Sequence, residues 1–224
     1  MKILAVISQK GGVGKTTLAT GLAVAAELDG KSVALFDLDP QASACFWSDR
    51  RKASGKGETP VVRDVNYNRL PHSIEAMRKA GCDLVILDCP PVHRDIADAA
   101  ISAADMVLIP TRAEALDIRA MMQTVRLVQQ LDKSPSVVLT FCPPSGAEIE
   151  QAREIIAQLG AELVPVAIHH RKAFSRAQQE GLTAQEYDPT GKAAGEIQQL
   201  YAYSAIALHG GTHGTKEAQS RRRA

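Results

Sequence analysis

The run Gln9-Lys10-Gly11-Gly12-Val13-Gly14-Lys15-Thr16-Thr17 constrains the fold more than any other part of the chain. It follows a short apolar, β-rich stretch, Ile3 to Ser8, and passes into Thr16 to Leu28, where apolar residues recur at helical spacing. A strand that ends in a glycine-rich loop and continues as a helix aims consecutive backbone N–H groups and the positive helix end at one point. A phosphate group suits that point. Lys15 is placed to neutralise the β and γ oxygens of a nucleotide, and Thr16 to offer its hydroxyl to Mg2+. A dinucleotide-binding loop fits poorly, because Gly12-Val13-Gly14 would need a third glycine where Thr17 stands.

What surrounds this loop predicts an α/β fold: a doubly wound, mostly parallel sheet with helices on both faces, the P-loop NTPase architecture. Gly30 stops the first helix, and Ser32 to Phe36 is a second buried strand that delivers Asp37 and Asp39 at its carboxyl end. Further strands are expected at Val61 to Val65, Leu84 to Leu87, Met106 to Ile109 and Val137 to Phe141. Helical patterns at Ser73 to Lys79, Asp98 to Ala103, Leu116 to Leu131 and Ile149 to Leu159 alternate with them. Arg50 to Gly57 is polar and basic and reads as an exposed connection.

A chain of 224 residues, 45% hydrophobic but only 4% aromatic, supports one core made of a sheet covered by helices. One domain is expected over residues 1–208. His209 to Ala224, rich in Gly, Thr, Lys and Arg with no apolar face, is expected to be a disordered basic tail. Cys45, Cys82, Cys89 and Cys142 lack CxxC spacing and read as reduced thiols of a cytoplasmic protein. The amino-terminal apolar run is too short for a signal peptide or membrane span, so no membrane partner is expected.

Hydrolysis of a nucleotide needs groups to hold a metal and orient water, and the strand ends supply candidates. Asp88 closes the run Leu84-Val85-Ile86-Leu87 and is placed to contact Mg2+ directly or through water. The loop departs from the ordinary phosphate-loop pattern by carrying Gln9 where glycine is usual and adding Lys10. KGGVGKTT thereby resembles the deviant Walker A motif of the ParA/MinD superfamily, Asp37-Leu38-Asp39-Pro40-Gln41 its DxDPQ segment, and Asp88-Cys89-Pro90-Pro91 its Walker B turn. Gly181 to Glu186 is similar to a later segment of ParA-type partition ATPases, and the chain resembles their compact form, without an amino-terminal helix-turn-helix.

The resemblance implies an ATP- and Mg2+-dependent ATPase in which Gly11 to Thr17 bind the phosphates and Lys10 acts in trans across a nucleotide-sandwich homodimer. It implies that Asp39 positions the attacking water and helps with the metal, and that Asp37 assists in the outer metal shell or holds the loop. Adenine contacts are expected in Phe141 to Pro144, with Pro143 as the candidate, and in Ile168 to Lys172. Nonspecific DNA binding is implied for the carboxyl-terminal third, where Arg171, Lys172 and Arg176, and Arg221, Arg222 and Arg223 in the tail, are the basic candidates. With a net charge of +1, such a footprint has to be local. A ParB-like adaptor is the implied partner, a plasmid the implied cargo and the nucleoid the implied location. The alternative is a MinD-like or other deviant Walker A ATPase acting at a membrane or in cofactor or redox metabolism.

Overall fold

Alternation of side chains along buried strands divides the core into two layers. A computed structural model describes residues 1–91, 93–143 and 145–210. In it β1 (Lys2–Val6) lies between β4 (Leu84–Asp88) and β5 (Met106–Thr111). The sheet continues outward through β2 (Val33–Asp37) to β3 (Val61–Asp64) on one side. On the other side it continues through β6 (Pro135–Cys142) to β7 (Glu162–Leu163), with β8 (Ile168–His169) also on β6. The order is β3-β2-β4-β1-β5-β6-β7, and every pairing is parallel.

Ile3, Ala5, Phe36, Val85 and Leu87 face one layer, where they meet α3 (Leu70–Lys79), α4 (Arg94–Ala103), α5 (Ala115–Gln130) and α6 (Ala147–Gln158). Leu4, Val6, Leu35 and Ile86 face the other, against α1 (Lys15–Leu28), α7 (Lys172–Gln179), α8 (Ala184–Tyr187) and α9 (Lys192–Leu208). Strands buried on both faces are why they read as unbroken apolar runs rather than alternating ones. The doubly wound α/β expectation holds.

Several local bounds change, two of them with a clear physical reason. Arg50 to Gly57 is only partly a connection, because α2 (Ser43–Ala53) runs through its first half and buries Trp47 and Arg51. β5 extends through Pro110 to Thr111 instead of ending at Ile109. The proline fits because the β1 ladder stops at Leu108, so the donor it lacks has no partner to lose on that side.

Candidate functional site

Register brings the chemistry together. Val6 at the carboxyl end of β1 pairs with Asp88, and Asp88 pairs with Asp37, so the loop and both carboxylates emerge at one level of the sheet. Such a level, at the carboxyl ends of parallel strands, is where open α/β sheets bind ligands. A cleft of about 930 Å³ opens there, lined by Gly11, Gly12, Gly14, Lys15, Thr16 and Thr17 on one wall and Asp39 and Gln41 on another.

The loop is held in an anion-receiving shape. Gly12 and Gly14 take φ of 73° and 91°, which favour glycine, and Gly14 is also needed because a Cβ there would lie 3.0 Å from the Phe141 ring. Gly14 is the N-cap of α1, and no side chain caps that helix, which leaves its first N–H groups for a ligand. Lys15 is buried, and its Nζ donates to the Lys10 carbonyl at 3.1 Å. Burial pulls the ammonium pKa down while Asp88 and Asp39 pull it up.

The acids divide their work. Asp88 is 1% exposed, and neither carboxylate oxygen has a hydrogen-bond partner of good geometry among the described residues. Burial, reinforced by Asp37 and Asp39, pushes its carboxyl up to about 7, against the opposing pull of Thr16 and Lys15. A buried carboxylate with no well-formed hydrogen bond among the described residues, beside a threonine hydroxyl and a phosphate loop, fits Mg2+, which also takes phosphate oxygens and water as ligands. Asp37 is fully buried and spends its oxygens on the N–H groups of Asp39 (3.1 Å), Ala44 (2.8 Å) and Cys45 (3.1 Å). It therefore ties the start of the Asp39-Pro40-Gln41 segment to the head of α2 and is not among the cleft-lining residues. Asp39 is partly exposed, lines the cleft and accepts from the Gln41 N–H at 2.9 Å. Lys10 is half-buried and outside the lining set, and Val13 is buried.

Other expectations scatter. Of the adenine segments, Phe141 lines the cleft, whereas Pro143 is exposed and outside the lining, Pro144 lies outside the described residues, and Ile168 to Lys172 contribute nothing to the wall. The far wall comes instead from Phe46, Trp47 and Arg50 of α2 and from Ser175, Gln178 and Gln179 of α7. Gln178 donates to the Thr17 hydroxyl at 2.9 Å. Among the basic candidates, Lys172 and Arg176 are exposed. Arg171 is not available in the same way: its guanidinium binds Glu196 of α9, which also holds His169. Arg221, Arg222 and Arg223 lie outside the described residues.

A parallel sheet, a glycine-rich loop opening α1, a buried lysine and a buried aspartate at the next strand end together define a P-loop nucleotide-binding protein. A model of the CobQ/CobB/MinD/ParA nucleotide binding domain matches residues 4–184, and the chain belongs to that family. It is 35% identical over 211 residues to maintenance of carboxysome distribution protein A of Gloeobacter kilaueensis, covering 92% of this chain and 94% of that one. It is 26% identical to the chromosome partitioning protein ParA of Caulobacter vibrioides, over 84% of this chain and 88% of that one. The septum site-determining protein MinD of Pyrococcus horikoshii, solved with Mg-ADP, shares the fold at a TM-score of 0.71 and 19% identity, covering 91% of this chain and 95% of that one.

Proposed function

We propose that this chain is a Mg2+-dependent ATPase that dimerises around ATP, binds nonspecific DNA as that dimer and positions a cargo on the nucleoid. The observation that carries the proposal is the split of the two loop lysines. Lys15 is buried and lines the cleft, while Lys10 is half-buried and does not line it. A cation so placed is available to the phosphates of a second subunit's nucleotide, as the family resemblance implies. When bound, Mg2+ would be held by Thr16 and Asp88 and would neutralise charge on the β and γ oxygens. Lys15 binds the same oxygens, and Asp39 orients the attacking water. Asp37 holds Asp39 in register, so that the segment responds to the γ-phosphate.

α2 gives that response a route outward. Trp47 Nε1 donates to the Leu182 carbonyl at 3.0 Å and Arg50 Nε to the Gln179 carbonyl at 2.6 Å, joining the helix after Asp39 to the end of α7. α7 carries Lys172 and Arg176, the exposed cations proposed to meet DNA phosphates. The 35% identity to a protein that maintains carboxysome distribution supports a large protein assembly, and that is the cargo we favour. A ParB-like adaptor on the cargo would stimulate hydrolysis and release the dimer. Among the described residues no helix is long and apolar enough to cross a membrane.

The test follows binding to nonspecific duplex DNA at low and moderate salt without nucleotide, with ADP-Mg2+ and with ATP-Mg2+, while the oligomeric state is measured in the same samples. DNA binding that appears only with ATP, tracks the dimer and weakens steeply with salt is expected. An ATP dimer indifferent to DNA would overturn the nucleoid mechanism and leave the membrane or metabolic alternative.

A further inference from the structure

A phosphate loop presents its N–H groups only if its carbonyls point elsewhere, and four loop carbonyls here are engaged. Lys10 accepts from Lys15, Gly14 from the Leu18 N–H within α1, Gly12 from Arg112 at 2.6 Å, and Val13 from the Thr140 hydroxyl at 2.9 Å. The first two belong to the motif and its helix. The last two come from outside it: Arg112 follows β5, and Thr140, fully buried, lies near the end of β6. The guanidinium of Arg112 also lies over the Phe141 ring, 5.7 Å from its centroid, and that ring abuts Gly14. Phe141 occupies the left-handed region at φ 52°, a conformation that costs energy for a non-glycine residue and is held here by its surroundings.

We infer that Arg112 and Thr140 are positioning residues for the phosphate loop, fixing the Gly12 and Val13 peptide units so that their N–H groups face the nucleotide phosphates. The inference rests on the nucleotide-binding reading above. Neither residue needs to touch the nucleotide. Each removes a rearrangement that the loop would otherwise undergo on binding, and a donor to a loop carbonyl also polarises the N–H of the same peptide unit. Thr140 carries the cleaner test, because valine matches its shape while leaving the Val13 carbonyl without its donor.

Dissociation constants for ATP-Mg2+ and for inorganic tripolyphosphate are measured by calorimetry on the full chain and on T140V, T140S, R112A and R112K. T140V and R112A are expected to weaken both ligands by the same factor, about tenfold, the size of one lost hydrogen bond. T140S and R112K, which keep a donor, are expected to recover most of the affinity. A merely structural role would lower thermal stability and spare the matched loss and the rescue. Equal affinity in T140V and the parent, failure of T140S to rescue, or a loss confined to ATP with tripolyphosphate spared would overturn the inference. A parent chain that binds neither ligand would overturn the nucleotide reading itself.

Discussion

At the scale of single residues, Asp88 shows how a site and a stable core make opposite demands. Its charge is buried with Asp37 and Asp39 nearby, and the ordinary way to relieve such a site is a donor, which neither oxygen has in good geometry. Replacing it by asparagine keeps the shape and removes the charge. D88N is expected to melt at or above the parent without nucleotide, by a few degrees for each ~1 kcal/mol relieved, and to lose the tightening of ATP binding by Mg2+. Melting curves with calorimetry across a Mg2+ series check both halves; a large loss of stability would show that Asp88 is structural. Asp88 was legible in the sequence because an acid closing an apolar strand beside a glycine-lysine loop is a local pattern. Arg112, Thr140 and Gln178 were not, since they reach Gly12, Val13 and Thr17 across 100, 127 and 161 positions of sequence. Arg112 had a weak signal, since it follows a strand end.

At the scale of elements, the least legible helix is the one that touches the most machinery. α2 carries little apolar stripe, so periodicity did not mark it, and polar contacts hold it in place. Arg51, buried, donates to the Thr59 carbonyl at 2.6 Å and to Glu186 at 2.8 Å, and the absence of a Cβ at Gly181 lets the turn before α8 lie directly on the α2 backbone. Glu186 also closes a capping box with Thr183. Burial alone would raise the carboxyl pKa of Glu186, but Arg51 and Thr183 outweigh it and hold the group below its usual range. A lowered folded-state pKa contributes stability above the unfolded value of about 4.5, which is lost as pH falls through the folded value. E186Q is therefore expected to cost roughly 1–3 kcal/mol at neutral pH, with the gap constant from pH 8 to about 5 and closing in acid. Denaturant unfolding across that range checks it; a gap unchanged at pH 3 would rule out the carboxylate's charge as the source. α9 was not among the expected elements either, although Ala193, Ile197, Leu200 and Ser204 recur at helical spacing.

At the scale of the molecule, the sheet topology could be anticipated because alternating buried strands and helices admit few arrangements, while surfaces without motifs could not. With a net charge of +1 and Arg171 neutralised by Glu196, one subunit presents few concentrated free cations to DNA around α7. On the proposed reading, dimerisation corrects this by doubling the α7 surface, so DNA affinity should be gated by whatever controls assembly. On that reading Lys10 would be the control point, because Lys15 lines the cleft of its own subunit and Lys10 does not. K10A is therefore expected to bind ATP-Mg2+ within about twofold of the parent, since it loses no contact in its own site, yet to remain monomeric and to show neither DNA binding nor turnover above background. Sedimentation with ATP-Mg2+, run beside calorimetry on the same variant, separates the two effects. A K10A protein that still dimerises with ATP would remove the lysine from the interface and require another cation at the shared phosphates, whereas one that cannot bind ATP as a monomer would return Lys10 to its own subunit's cleft.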